Sequence, residues 1–337
     1  MQLIVYLLLF ISAPIFAYDQ NVIFITWDGV RPEDFFSGRN DSSISTEPAS
    51  FLGKFHKEYA PQGIVLGDEA SSSSMSVSND SNISFPAYLS MMNGIYTDYC
   101  HLNQITPECL RNPIETLPER VLREKTLDKS KVAVFASWDR IKDAAESTKD
   151  SLVVSAGPVE FHDPNFPGAH DEINRKMHEN INEWHYKNGE RDDASTFNHA
   201  MTYIRNNQPK FIWIYLVETD DQAHGNNYPG YVRTINENEQ KLEEVISTLS
   251  MMGEYGKNTS IVITTDHGRG QGPLGWMHHG NTHPASRKVW AFIKGPATKG
   301  LGNLKNTHYS HLNLRPTMER FMGLEPNVKE NVIKEAF

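Results

Sequence analysis

Cysteine is nearly missing from this sequence: its 337 residues contain two, Cys100 and Cys109, close together in "YCHLNQITPECL". A thiolate metal site would need more sulfur, or a histidine cluster that this segment does not offer. In an exported chain the pair closes a small loop as a disulfide, the alternative being two separate thiols. Positive charge is also in deficit, with 32 Lys and Arg against 42 Asp and Glu, a formal charge of −10 and a pI near 5.8. No basic patch is available to release counterions from a phosphate backbone, which excludes non-specific nucleic-acid binding. No internal repeat is visible. Apolar residues are in normal supply, 39% against 22% charged, so the chain is an ordinary globular protein of one large or two smaller domains.

No run long enough to span a membrane is evident. "MQLIVYLLLFISAPIFA" is apolar from Leu3 to Ile11 and then small-residue-rich to Ala17. It reads as a signal peptide over residues 1–17, cleaved before Tyr18, although its start lacks Lys or Arg. A stable span takes ~20 apolar residues. The expected location is therefore periplasmic or secreted.

What the sequence does contain is a series of continuous apolar runs: "NVIFITW" (21–27), "KVAVFAS" (131–137), "FIWIYLV" (211–217), "SIVITT" (260–265) and "VWAFIKG" (289–295). Unalternating runs of this kind suit strands buried on both faces of a largely parallel sheet. Helical patterns lie between them. Residues 231–252 put Ile235, Leu242, Val245, Ile246 and Leu249 on one stripe, and residues 193–207 are similar. The spacing predicts an α/β three-layer sandwich around a mostly parallel sheet, with ligands beyond the carboxyl ends of its strands. We expect a single domain over 18–337, with a polar insertion or cap at about 155–192 beside the sheet's edge.

Three of the runs end in carboxylates. The first stops at Asp28-Gly29, the third leads into "ETDDQAHG", and the fourth ends in Asp266-His267-Gly268. One Asp after a strand is ordinary turn chemistry. Three that gather at one rim, with histidines attached, point to metal ligands. Asp220 and His224 are four apart, so one helical turn would bring their tips together. Neighbours on a strand face opposite ways, so Asp266 and His267 can share an ion only if the strand has ended, with Gly268 and Gly270 turning the chain. "GWMHHGNTHP" offers His278, His279 and His283, one of which completes a site. His162, His170, His178, His185 and His199 read as solvent-exposed or supporting residues. Histidine and carboxylate ligands without sulfur suit Zn²⁺ first, with Mn²⁺ as the alternative. Ser84, before Phe-Pro and an apolar helix, is a candidate nucleophile in the positive field of a helix start, or else a plain N-cap.

"ITWDGVRP", "ISFPAYLSMMNGIY", "VETDDQAHG", "VITTDHGRG", "HHG" and "NLRPTMERFMGLEP" occur in the order found in the alkaline phosphatase superfamily. The sequence resembles that superfamily from about residue 21 to 325, nearest to its nucleotide pyrophosphatase/phosphodiesterase and phosphoglyceromutase-like branch. The resemblance implies two divalent ions, one held by Asp28, Asp266 and His267, the other by Asp220, His224 and His279. It implies Ser84 as the nucleophile bridging both ions, and Asn103 as a holder of the phosphate. No Cys-x-Pro-x-Arg occurs, so the formylglycine nucleophile of type I sulfatases is missing. The expected activity is that of an exported phosphodiesterase or pyrophosphatase acting on a small phosphorylated substrate. A phosphotransferase or mutase using the same site, or a silent metal- and phosphate-binding protein, are the alternatives. Asn82-Ile-Ser84 is formally a glycosylation sequon, but a glycan there would block the nucleophile.

Overall fold

The computed structural model describes residues 18–39, 41–45 and 50–337; the proposed signal peptide lies outside these residues. Among the described residues ten strands form, β1 Asn21–Trp27, β2 Ile64–Leu66, β3 Ser74–Ser76, β4 Val132–Ala136, β5 Val153–Ala156, β6 Phe211–Leu216, β7 Thr259–Thr264, β8 Ala291–Lys294, β9 Gly302–Asn303 and β10 His308–Ser310. Eight build one sheet in the order β5-β4-β6-β1-β7-β8-β2-β9, and β10 pairs with β3 separately. β1, β4, β5, β6 and β7 run parallel, while β8 runs antiparallel to both β7 and β2.

Each long strand feeds two cores. On β1, Val22 and Phe24 join one apolar cluster, with Phe85, Val121, Ile141 and Leu314 from helices on that face. Ile23 and Ile25 point the other way, into a cluster with Phe197, Ile235 and Leu242. This alternation explains why the strands read as unbroken apolar runs. The architecture is therefore the expected α/β three-layer sandwich around a mostly parallel sheet.

The long helix Tyr228–Met251 starts three residues earlier than its stripe implied, capped by Asn227, whose side chain accepts from Gly230 N. Pro229 fits there because the first turn's N–H groups have no helical partner. The segment at 155–192 begins inside β5, the edge strand, and continues through helices Asp171–Asn180 and Glu183–Asn188. Cys100 and Cys109 are joined as a disulfide. Among the described residues no helix is long and apolar enough to cross a membrane.

Candidate active site

β1 lies between β6 and β7, all three parallel, so Asp28, the 217–224 segment and Asp266 emerge together at one rim. β7 closes at Thr264, two residues before Asp266, so Asp266 and His267 are no longer constrained to opposite faces. The expected role of the glycines needs correction. Neither Gly268 nor Gly270 has a positive φ; what demands glycine there is space. A Cβ on Gly268 would meet the Lys288 carbonyl oxygen at 2.5 Å, and one on Gly270 the Gly275 oxygen at 2.6 Å. Gly29, at φ +65° beside Asp220, is left-handed at this rim.

Asp28, Asp266 and His267 are buried and form one tight group. The hydroxyls of Tyr215 (2.7 Å) and Tyr88 (3.2 Å) donate to Asp28 Oδ2. Gly29 N donates to Asp266 Oδ1 at 3.0 Å. Each carboxylate thus keeps one oxygen, Asp28 Oδ1 and Asp266 Oδ2, buried without a hydrogen-bond partner. Both face His267 Nε2, at 3.5 and 3.4 Å. His267 Nδ1 is 2.8 Å from the Gly268 carbonyl, which fixes the ring proton there and leaves Nε2 a lone pair. Three lone-pair donors converging in a buried space repel one another unless a cation sits between them. Burial, and after it the charge of Asp266, pushes Asp28 up to about 7; burial likewise raises Asp266 to about 6. The donor set fits a divalent ion of the zinc or manganese type.

Asp220, His267 and His279 form a second group. Helix Glu218–His224 supplies the predicted i, i+4 pair, with His224 Nε2 3.2 Å from Asp220 Oδ2 and 3.0 Å from His279 Nε2. The His279 ring stacks on His267 with centroids 3.8 Å apart, and burial holds its basicity well below normal. His278 and His283 lie against each other instead, so of the three histidines in that loop the structure brings His279 to the rim. This group also fits an ion, with oxygen and imidazole donors and no sulfur.

Ser84 is the first residue of the buried helix Ser84–Asn93 and is not its cap, which is Ile83. Its Oγ lies 3.3 Å from His267 Nε2, next to both groups. Asn103 Oδ1 accepts from Phe85 N at 2.9 Å, which ties the disulfide loop to the first turn of that helix. Arg140 reinforces the tie: its guanidinium lies 3.8 Å over the Phe85 ring and donates to the carbonyls of Asn103 and Leu110, both at 3.2 Å.

Several contributors escape sequence reasoning. Arg269 is buried, pairs with Asp220 Oδ1, and donates to Gly29 O at 3.0 Å. It stood inside "DHGRG", and a cation among so many acids was the signal. Asp193 accepts from Ser137 Oγ at 2.6 Å, Val217 N at 2.8 Å and Glu218 N at 3.1 Å, fixing the start of the helix that carries Asp220. Glu190, from the 155–192 segment, is pushed up to about 8 by burial and then by Asp28. Among the five histidines expected to be exposed or supporting, His170 and His199 differ. They are buried, with Nδ1 atoms 2.9 Å apart, because Phe161 and the 193–207 helix cover them.

The Sulfatase family matches residues 165–324. A 2-O GAG sulfatase shares the fold at 16% identity and a TM-score of 0.58, over 94% of this chain and 72% of that one. The chain has the fold of the alkaline phosphatase superfamily. Other structures similar to this chain include phosphonate monoester hydrolase from Silicibacter pomeroyi, at 12% identity and TM-score 0.59 over 91% and 74% of the two chains. Murine ectonucleotide pyrophosphatase/phosphodiesterase 5, an inactive form in complex with AMP, matches at 12% identity and TM-score 0.55 over 92% and 96%. No curated protein sequence matches the chain. The superfamily comprises hydrolases of sulfate and phosphate esters that use divalent metals.

Proposed function

We propose that this protein is an exported, two-metal phosphoric ester hydrolase that acts on phosphodiesters or pyrophosphates, with Ser84 as nucleophile. The observation that carries this reading is the Ser84 hydroxyl at a helix start, 3.3 Å from His267 Nε2 and between the two ligand groups. Asp28, Asp266 and His267 would hold one ion, and Asp220, His224 and His279 the other. When bound, two divalent ions supply Lewis-acid stabilisation of phosphoryl oxygens and of the attacking hydroxyl.

The remaining work falls to the chain. Ser84 Oγ attacks phosphorus, the bond from phosphorus to the departing oxygen breaks in line, and the serine proton ends on solvent or the departing alcohol. Water then cleaves the Ser84–phosphorus ester and restores the hydroxyl. The first turn of helix Ser84–Asn93 places its positive end at the phosphoryl group. Asn103 Oδ1 holds that turn in place, and the resemblance assigns its amide the phosphate oxygen.

Phosphate is preferred to sulfate because of the residues around the nucleophile. Against the pattern Cys-x-Pro-x-Arg the segment reads Ser84-Phe85-Pro86-Ala87-Tyr88, and Tyr88 is committed to Asp28. Both cysteines are held in the disulfide, so neither can serve as precursor of a formylglycine. The disulfide and the apolar segment at residues 3–17 support export to the periplasm or beyond.

The test is hydrolysis of bis(p-nitrophenyl) phosphate, p-nitrophenyl phosphate and p-nitrophenyl sulfate with Zn²⁺ or Mn²⁺. The diester should be cleaved fastest, with activity lost in EDTA and in Ser84→Ala. Faster cleavage of the sulfate, or activity that survives Ser84→Ala, would overturn the reading.

A further inference from the structure

A cleft of about 340 Å³ opens beside the nucleophile's own segment, between residues 80–83, His101 of the disulfide loop, and the 279–282 loop. It adjoins the rim directly, since His279 Nδ1 lies 3.3 Å from the carbonyl of Asn82. Its walls are built in place. Buried Asn79 accepts from Ser81 N at 2.8 Å and Asn82 N at 2.6 Å, which pins the turn before the nucleophile. Ser81 Oγ is 3.0 Å from His101 Nδ1, and Tyr96 donates to Asp80 Oδ1 at 2.6 Å.

The chemistry of this lining is selective. Asp80, Ser81, His101, Asn281 and Thr282 offer carboxylate, hydroxyl, imidazole and amide groups; Ile83 is the one large apolar side chain. Among the described residues no Phe, Tyr or Trp lines it, so a nucleobase finds no stacking platform beyond an imidazole edge. Among the described residues no Lys or Arg lines it either, and Asp80 would repel a second phosphate. A neutral group rich in hydroxyls matches donor for acceptor: the carboxylate accepts, and the serine, threonine and asparagine do both. In an in-line displacement the departing oxygen lies opposite Ser84 Oγ. A cleft formed by residues flanking Ser84 therefore receives the substituent that stays on phosphorus.

We propose that this cleft is a subsite for a polyhydroxylated alcohol, of the size of glycerol or a sugar, esterified to the phosphate under attack. The substrates are then phosphodiesters of a polyol in preference to nucleotides or pyrophosphates. The proposal rests on the phosphodiesterase reading and narrows it.

Three p-nitrophenyl phosphodiesters, carrying glyceryl, methyl or thymidine 5′-yl as the second group, separate the outcomes on the metal-loaded protein. The glyceryl ester should exceed the methyl ester in kcat/KM by roughly 10–100-fold, as for a site built to hydrogen-bond hydroxyls. The thymidine ester should fall below the glyceryl one. Asp80→Ala and Thr282→Val should each bring the glyceryl-to-methyl ratio down towards one. Methyl-ester turnover with no glyceryl preference, a thymidine ester that wins, or a ratio unmoved by both variants would overturn the subsite while leaving the phosphodiesterase reading intact. If none of the three esters is turned over, the phosphodiesterase reading fails, and the subsite with it.

Discussion

Two buried clusters of titratable groups are built on opposite plans. At the rim, Asp28 and Asp266 each spend one oxygen on the protein and aim the other at His267 Nε2. Where helix Asp193–Asn207 packs over β4 and β6, His170 and His199 bond to each other through Nδ1, and each leaves Nε2 without a partner. The nearby buried carboxylate of Asp163 is taken up by Asn207 Nδ2 and Asn165 N, and Phe161 packs edge-on against both rings. Burial lowers the basicity of both histidines, His199 to about 2, so the pair is neutral and at rest. Orphaned atoms make a candidate site when they converge with charge; dispersed in an apolar pocket they are packing.

The sharpest way to break this contrast is to remove one converging oxygen. Asp28→Asn keeps the shape and the tyrosine contacts but removes the charge, and should lower diester hydrolysis roughly 10³-fold, with loss of bound metal. Metal content by emission spectrometry, beside kcat/KM, checks it. A smaller effect is expected one bond further out. Tyr215→Phe withdraws the hydroxyl that orients Asp28, and should cost about 10–100-fold in metal affinity, measured by competition with a chelator.

The acids around the rim also set a pH dependence. Asp193 is raised by burial to about 7 and Glu190 to about 8, from ordinary values of 3.8 and 4.5. Between those limits the folded protein holds protons that the unfolded chain has released, so stability falls as pH rises. The buried histidines act in the opposite sense, because burial lowers them, but only until the unfolded rings lose their protons near 6.5. Burial lowers Arg191 and Arg269 to about 9, so their contribution begins above the window. Thermal unfolding of metal-stripped protein should therefore show Tm decreasing from pH 6.5 to 8. Added Zn²⁺ should flatten that slope, since Glu190 is raised in part by the charge of Asp28.

The smallest effect belongs to the histidine pair. Removing both partners together leaves no new orphan, so His170→Leu combined with His199→Phe should be nearly neutral in stability. Metal content and kcat/KM should stay within about twofold of the parent, because the two regions share no partner. A double variant that loses metal would dissolve the distinction between the clusters.

Much of the rim was legible in the sequence because its logic is one-dimensional. Apolar runs mark strands, a carboxylate at each end marks the rim, and the four-residue spacing of Asp220 and His224 survives as a helical turn. What was not legible depends on atoms meeting across the fold. Arg269 opposite Asp220, Tyr215 and Tyr88 on Asp28, and Asn103 on Phe85 join residues 49, 187, 60 and 18 positions apart. The glycines of "DHGRG" could be recognised as necessary but not why, since crowding by Lys288 and Gly275 is set by other loops. His170 and His199 read as exposed or supporting because the ring that covers both, Phe161, comes from another part of the chain.

The central claim is that Asp28 Oδ1, Asp266 Oδ2 and His267 Nε2 are aimed at one point because a cation belongs there. The most direct measurement is a crystal structure of zinc-soaked protein with anomalous data collected at the zinc edge. The account predicts a peak about 2.0–2.2 Å from those three atoms. A protein saturated with zinc that shows no peak there, or shows its strongest peak between His170 and His199, would contradict it.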